Sequence, residues 1–302
     1  MSFNTFVAAL VGFGLFIGAI VLSTDNFMVF LSGAGFILVV GGTLAATFIS
    51  YEFRYVLKAL GAIASTFAID RMGRTRLNTE VGRVIRWAYL VQSEGIVSLD
   101  AEVKKTPGWD GDFLRFGVEL ITTGYNGEEI KSILANVIES TFDRNMVSAA
   151  ILRNMSVAAP AFGMVGTLIG LIIMLDQMGG DPGSIGIGLA VALVTTLYGV
   201  MLARLVFAPA ANKIQQREEI FRFRNYMIVE GLAMVADEAS PRKIQDHMNS
   251  YLDPTIRYDI DRQLKRKPAT EKVDAKHNAD QAKAKKAKAK GKPAKKSAPA
   301  NA

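Results

Sequence analysis

The chain has 302 residues, 50% of them hydrophobic and 21% charged, with no cysteine and only two histidines. Those figures exclude disulfides, iron–sulfur clusters and thiol catalysis, and leave a large soluble domain or a membrane protein as the classes to separate. The formal net charge of +7 is no pointer to nucleic acid: from Lys265 onward twelve Lys and one Arg stand against three carboxylates, and the chain before that point is slightly acidic.

The first uncharged run, Phe3–Leu22, has neither a basic leader nor a small-residue cleavage site, so it is expected to be a retained span and not a signal peptide. Gly12, Gly14 and Gly18 superficially echo a dinucleotide-binding fingerprint. No strand precedes them and no acidic residue follows at the right distance, so they are assigned to helix packing. The second run, Phe27–Ile49, follows the short loop around Asp25 and ends in Gly41-Gly42-Thr43-Leu44-Ala45-Ala46, small residues suited to a close neighbour. Soluble core helices of this length would show a polar face, and these runs show none. Arg54 and Lys58 anchor the second run at its charged end.

Residues 50–150 alternate apolar and charged positions at helical spacing, with Val84, Trp87, Ala88 and Val91 making one i, i+3, i+4, i+7 face. Pro107-Gly108 and Gly124-Tyr125-Asn126-Gly127 divide the segment into several helices. Glu128–Asn145 is an amphipathic helix running toward the next apolar run. A compact helical cytoplasmic domain is the expectation.

Two further uncharged runs, Met155–Leu175 and Ser184–Ala203, are joined by the polar loop Asp176–Gly183, and each has about the 20 residues a helix needs to cross a hydrocarbon core. Ala159, Gly163, Gly166 and Gly170 fall at i, i+4, i+7 and i+11, a stripe of small residues on one face. Gly188, Ala192, Thr195 and Gly199 repeat the spacing on the fourth run. Such stripes let membrane helices approach closely, because lipid supplies no hydrophobic drive between them. Thr167 and Thr196 sit beside their stripes and put hydroxyls on an otherwise apolar surface. Neither run carries a carboxylate in its middle, so if the surface is an ion path, the charged partner comes from another chain. Pro160 lies inside the third run and Pro209 just beyond the fourth, where each frees a backbone carbonyl and bends its helix.

After Pro209 a polar helix continues to Glu230, and Ser240-Pro241 starts another that ends near Tyr251-Leu252. The Lys/Ala-rich stretch from Lys265 has the composition of a disordered tail, either solvating or drawn to anionic lipid heads or an acidic partner. The basic residues fix the orientation. Thirteen lie between Arg54 and Arg153 and the remaining twenty-two from Arg204 onward, while the loops Ser23–Asn26 and Asp176–Gly183 carry only Asp25, Asp176 and Asp181. Both termini and the central segment are therefore expected in the cytoplasm. The expected fold is an all-α membrane protein with four transmembrane helices and a helical cytoplasmic domain. Its segments are residues 1–50 (two spans), 51–150 (cytoplasmic helices), 151–209 (two spans), 210–264 (cytoplasmic helices) and 265–302 (tail).

Enzymatic chemistry finds no support. His247 and His277 have no metal-ligand partner at workable spacing, no Gly-rich loop with a following Lys marks a phosphate site, and no nucleophile elbow is present. Glu128-Glu129 and Glu218-Glu219 are adjacent on helices and so point about 100° apart, as solvated charges do. No enzyme, cofactor or metal site is expected.

Two motifs bear a family resemblance. Ala159-Pro160-Ala161-Phe162-Gly163-Met164-Val165-Gly166-Thr167-Leu168-Ile169-Gly170 resembles the third-span signature of the MotA/PomA flagellar stator subunits, and Ala190–Leu193 with Thr195-Thr196-Leu197-Tyr198-Gly199 resembles their fourth. Pro209 stands where that family closes its fourth span with proline, and Gly41-Gly42-Thr43-Leu44, Glu230-Gly231 and Pro241-Arg242 extend the likeness over roughly residues 1–255. The related TolQ/ExbB proteins typically have three spans.

The resemblance implies a homopentamer in the bacterial inner membrane around a dimer of a single-span B subunit (MotB/PomB-like) that carries one membrane aspartate. Ion passage would turn the ring, and cytoplasmic charges would push the rotor protein FliG. Thr167, Thr195 and Thr196 match positions where sodium-type members keep threonine, which implies Na+ as the transported ion, with H+ as the alternative. Pro160 and Pro209 then become a hinge coupling ion binding to movement.

The rotor-facing stretch departs from the family pattern. Where members commonly show a basic residue, then Gly, then Leu-Glu, this chain has Gln92-Ser93-Glu94-Gly95-Ile96-Val97-Ser98-Leu99-Asp100. The acidic end survives as Asp100 with Glu102 nearby, and Arg83, Arg86 and Glu94 are the other candidate rotor contacts. Two alternatives stay open: a stator-like motor driving another process, such as envelope work, gliding or defence, and a membrane scaffold without transport.

Overall fold

The structure is a computed structural model that describes residues 3–66, 74–104, 109–177 and 182–259. Pro107-Gly108, Asp181, His277 and the Lys/Ala-rich tail, on which several expectations fall, lie outside these residues. Among the described residues every regular element is a helix or a helical turn.

Helix α1 (Phe3–Ser23) is the first apolar run. The second is not one straight helix. It opens as a 3-10 turn (Phe27–Phe30) and breaks at Leu31, whose backbone is extended. It restarts at Ser32, whose side chain accepts the Gly35 N–H and so caps α2 (Gly33–Phe36). A π turn (Ile37–Gly41) leads directly into α3 (Gly42–Ser50). Gly42 lies against the Phe162 ring, where a Cβ would come within 2.6 Å of Cε1. In α1 the packing expectation holds for one glycine of three: Gly12 faces Leu205, whereas Gly14 and Gly18 meet nothing within 4 Å in this chain.

Helices α4 (Phe53–Thr66), α5 (Arg74–Glu94), α6 (Ser98–Val103) and α7 (Trp109–Thr123) follow. Gly124 then turns the chain at φ +94°, a conformation open to glycine. Asn126 caps α8 (Gly127–Asp176) with a complete capping box, its side chain accepting from the Glu129 N–H while Glu129 accepts from its backbone. Helix α8 has 50 residues, about 75 Å at 1.5 Å per residue. That is more than twice a bilayer core, so the amphipathic stretch from Glu128 and the third apolar run are one rod. Helix α9 (Pro182–Met201) passes through a π turn (Leu202–Phe207) into α10 (Ala208–Ala236), and α11 (Pro241–Asn249) completes the described chain with a short 3-10 turn (Pro254–Ile256).

Helices α9 and α10 both pack along α8. Around the first half of α8 lies one core: Val84, Trp87, Ala88 and Val91 of α5 meet Leu114 and Ile121 of α7, Leu134 of α8, Leu232 of α10 and Met248 of α11. All are buried, each large side chain contributing roughly 1.5–3 kcal/mol. A second cluster joins Ala59 of α4 to Ile151, Leu152 and Met155 of α8 and to Phe207, Ala210 and Ile214 across the π turn.

Beyond that cluster the pattern inverts, and large apolar side chains face outward: Leu22 is 90% exposed, Ile49 87% and Ile37 73%. Three helical stretches are long and apolar enough to cross a membrane, within 27–50, 127–176 and 188–236, and α1 adds a shorter apolar stretch, Leu10–Ser23.

Candidate functional site

The two small-residue stripes face each other across α8 and α9. A Cβ on Gly163 would lie 3.0 Å from the Thr195 carbonyl oxygen and 3.1 Å from the Thr196 Cα. One on Gly170 would lie 2.7 Å from the Ala192 Cβ and 2.8 Å from the Gly188 carbonyl oxygen. From the other side, a Cβ on Gly188 would lie 3.1 Å from the Gly170 carbonyl oxygen and one on Gly199 2.6 Å from the Ala159 carbonyl oxygen. Ala159 and Ala192 are buried in the same seam. Where the obstructing atoms are backbone on both helices, neither side can yield, and the axes are held closer than any side chain larger than hydrogen allows.

The three threonines occupy different places. Thr195 belongs wholly to the seam: it has no exposed surface, its hydroxyl donates to the Ala192 carbonyl at 2.8 Å, and its methyl group presses toward Gly35 of α2. Thr196, half-buried, donates across the seam to the Gly163 carbonyl at 3.3 Å. Thr167 is half-buried too and donates to its own helix at Met164, 2.6 Å away. Each hydroxyl keeps lone pairs to accept with, but Thr167 and Thr196 have surface that another molecule can reach, and Thr195 has none.

Pro160 lies inside α8 and withholds the N–H that the Ser156 carbonyl would otherwise accept. A Cβ on Gly199 would lie 3.1 Å from the Pro160 Cα, so the missing hydrogen bond coincides with the close contact between helices. Pro209 is exposed at the start of α10, directly after the π turn Leu202–Phe207. A proline there removes the N–H owed to Leu205, and a wider turn just upstream is one way for the helix to continue.

The candidate rotor-facing charges lie at the far end of the molecule, on α5 and α6. Arg83 is 22% exposed and pairs at 2.8 Å with Glu80, which is buried and also binds the buried Arg224 of α10 at 2.8 Å. Arg83 is thus part of an internal cluster that ties α5 to α10. Arg86 and Glu94 are exposed. Asp100 is exposed and paired with Lys104 at 2.7 Å, and Glu102 beside it is half-buried. Gln92 is exposed, and the Ser93 hydroxyl donates back to the Tyr89 carbonyl at 3.0 Å.

Three groups escaped the sequence reading. The Glu80–Arg224 pair joins residues 144 positions apart, a distance no local pattern signals. Tyr198, noted only as part of a motif, donates its hydroxyl to the Phe30 carbonyl and accepts the Ser32 N–H at 3.1 Å, bridging the break in the second run. On α8 ahead of the apolar run, Glu139 accepts from Tyr226 and from Arg222 of α10 at 2.8 Å. The Tyr226 hydrogen bond foremost, helped by Arg222, holds the Glu139 carboxyl below its ordinary value, and the same bond raises the Tyr226 phenol.

Residues 106–224, which include both stripes, match the profile of the MotA/TolQ/ExbB proton channel family. The Motility protein A of Cereibacter sphaeroides is 31% identical over 87% of this chain and 99% of its own length. The chemotaxis protein PomA of Vibrio alginolyticus is 28% identical over 84% of this chain and 96% of its own. Among solved structures, the flagellar MotAB stator complex from Bacillus subtilis superposes with a TM-score of 0.73 at 24% identity, covering 84% of this chain and 96% of that one, which establishes a shared fold. With 31% identity across nearly the whole of a relative and a profile match over both striped helices, the chain belongs to the MotA/TolQ/ExbB proton channel family.

Proposed function

We propose that this chain is the A subunit of an ion-driven rotary stator: a pentamer around a dimer of a single-span B subunit, passing sodium across the inner membrane and turning against FliG of the flagellar rotor. The observation that carries the reading is the uncharged seam of α8 and α9 with the half-buried residues Thr167 and Thr196 along it. An apolar surface with accepting hydroxyls and no acid of its own suits a partner helix that brings the carboxylate. Relatives named PomA and Motility protein A, and the likeness in fold to a flagellar MotAB stator complex, support the same assignment.

In this reading α1, with 21 residues or about 31 Å, makes the fourth crossing, and both termini are cytoplasmic. Thr167 and Thr196 replace part of the hydration shell of sodium as it passes. Thr195 sets the helix spacing that presents them, and Pro160 and Pro209, the latter beside a π turn, are the hinges.

The test is motility of cells carrying this protein and its partner, with sodium varied at constant ionic strength and pH. Swimming should rise with sodium, and the dependence should weaken in Thr196→Ala. Swimming that needs the gene but ignores sodium would transfer the reading to protons.

One observation favours a second reading, a stator-like motor driving something other than a flagellum. The position where the family carries a basic rotor-facing residue is Gln92 or Ser93, and Arg83, a candidate replacement, is held by Glu80. Normal swimming in cells that lack the gene would select this reading over the flagellar one.

A further inference from the structure

The last described residues form a strap across α5. The Ile256 carbonyl accepts the Asn78 side-chain N–H at 2.6 Å. Two residues on, the Tyr258 backbone is clasped by both ends of the Asn249 amide: its N–H donates to Oδ1 at 2.8 Å and its carbonyl accepts from Nδ2 at 2.7 Å. The Tyr258 ring covers Gly82, where a Cβ would come within 2.6 Å of Cε2. Between Asn78 and Gly82 the strap has thus moved along α5 toward Glu94. Helix α10 runs from the apolar region to the far end of the molecule, and α5 lies beside it in the same sense, Glu80 binding Arg224 and Val84 facing Gly231. The strap therefore leads away from the apolar helices, and residues 260–302 continue from it.

Ahead of the strap two helices end together. Ala88, Val91 and Gln92 of α5 and Val235, Glu238 and Ala239 at the end of α10 line one cleft. Helix C-termini carry partial negative charge, and the carboxylates of Glu94 and Glu238 add to it. Both are exposed, and among the described residues neither has an ion pair. Glu238 stands at φ +53°, where a helix end ordinarily takes glycine, so the turn itself does not call for a glutamate. Lys104 is taken by Asp100 and Arg83 by Glu80, and the exposed Arg86 lies two turns back from Glu94.

Charge and reach choose the occupant. From Lys265 onward the chain carries twelve Lys and one Arg against three carboxylates, and between 283 and 296 eight Lys and no carboxylate. Glu94 lies twelve residues beyond Gly82, about 18 Å along α5. Seven residues lead from Tyr258 to Lys265, a reach of up to about 25 Å, and every later lysine reaches further. The apolar lining of the cleft suits the methylene stem of a lysine, and Glu238 its ammonium group. The tail is long enough to reach anionic lipid as well, but the strap aims it the other way. The cytoplasmic margin of the apolar helices is also already basic, with Arg54, Lys58 and Arg153 exposed there.

We infer that the lysine-rich stretch after Lys265 docks on the carboxylate-bearing end of α5 and α10 of its own subunit, with a lysine in the cleft between Gln92 and Glu238. Tethering keeps its effective concentration there high. Docked, it puts positive charge beside Gln92, at the end that the stator reading sets against the rotor. That consequence rests on the stator reading, whereas the docking does not.

The experiment uses the full complex with its B subunit, in vesicles of neutral phosphatidylcholine and in vesicles that also contain anionic phosphatidylglycerol. A photoreactive benzophenone side chain replaces either Ser93, next to the cleft residue Gln92, or Leu57, exposed on α4, and cross-linked peptides are mapped. In both kinds of vesicle the Ser93 label should capture peptides from 265–302 in excess over the Leu57 label. Glu94→Gln combined with Glu238→Gly, which removes both carboxylates and suits the left-handed turn, should cut that capture several-fold. Raising the salt from about 0.1 M to about 1 M, which shortens the screening length from about 10 Å to about 3 Å, should do the same. Capture at Leu57 equal to or above that at Ser93 overturns the inference, in favour of the lipid surface where it requires phosphatidylglycerol. Absence of tail peptides at Ser93, or capture there that survives both the double variant and the salt, overturns it too. Docking that holds in a protein whose absence leaves swimming normal supports the inference and removes only its bearing on the rotor.

Discussion

Gly166 and Thr195 meet as hole and knob across α8 and α9: a Cβ added to the glycine would lie 2.6 Å from both the Cβ and the Oγ1 of the threonine. The threonine cannot retreat, because Gly35 of α2 stands on its other side, where a Cβ would lie 2.7 Å from its Cγ2. Three helices are thereby keyed to one buried side chain.

Gly166→Ala should therefore disrupt the seam at a cost of about 1–3 kcal/mol, the range for overpacking a filled core. The obstruction includes the threonine Cβ itself, so Thr195→Ala should not relieve it and Thr195→Gly should. Thermal unfolding of the purified complex checks this as a double-mutant cycle. Equal rescue by alanine and glycine would mean that the helices separate more readily than the close packing implies.

Thr195 and Thr196 should separate in their response to valine, which keeps the shape of threonine and drops the hydroxyl. Thr195→Val should leave sodium dependence of swimming close to the parent, since the Thr195 hydroxyl is sealed from solvent and donates to Ala192. Thr196→Val removes a half-buried hydroxyl that bridges to Gly163, and should shift the sodium dependence strongly. The reverse order of effects would return Thr195 to the ion path.

The contrast between adjacent threonines marks the limit of what the sequence discloses. Small residues at i, i+4, i+7 and i+11 were legible as faces because the helix period alone fixes them. The same spacing placed Thr195 on the stripe, yet it could not say that the neighbouring stripe and Gly35 would enclose it, since that depends on a residue 160 positions away. The face of Val84, Trp87, Ala88 and Val91 was equally legible and is buried in the core around the first half of α8. The break at Leu31 was not read, since no proline or charge interrupts Phe27–Ile49, although Ser32-Gly33 stands at it and Ser32 caps the restart. The π turns at Ile37–Gly41 and Leu202–Phe207 likewise have no composition of their own, though Pro209 hinted at the second. The Arg83 side chain was a surface charge by periodicity and is a cluster member by contact with Glu80.

That cluster makes a stability prediction. Arg224 and Glu80 are 2% and 6% exposed, so Arg224→Met removes one of the two arginines that face the buried carboxylate, Arg83 remaining at 2.8 Å, and should destabilise by less than the about 3–5 kcal/mol of a fully stranded charge. Replacing both, Glu80→Leu with Arg224→Met, should cost less than the single change, because the charge then left without its carboxylate, Arg83, is 22% exposed and can turn to solvent. Thermal unfolding of single and double variants decides it, and a double variant worse than the single would show the pair to be net stabilising.

Glu139 predicts a pH dependence. Its folded value lies below the ordinary 4.5, chiefly through the Tyr226 hydrogen bond. A depressed carboxylate contributes stability that is present above about pH 4.5 and lost as the pH falls through the lower folded value. Glu139 is 37% exposed in its ion pair with Arg222, so solvent screening limits the effect to about 1 kcal/mol or less. Tyr226→Phe should therefore lower the melting temperature slightly near neutrality, with the gap from the parent closing in acid. A gap that stays constant down to acid pH would assign the loss to packing.

Tyr198 gives the sharpest local prediction. Its hydroxyl satisfies both the Phe30 carbonyl and the Ser32 N–H, the two backbone groups left open where the second apolar run breaks. Where water does not replace it, each unsatisfied group costs about 1–3 kcal/mol. Tyr198→Phe keeps the ring, which stacks edge-on against Phe36 at 6.4 Å, and removes only the bridge. Hydrogen exchange should accelerate at the Ser32 amide and little at Thr43 or Thr47, whose hydroxyls close on their own helix. Unchanged exchange at Ser32 would mean that the capping contact between Ser32 and Gly35 holds the break by itself, and that Tyr198 only fills space beside it.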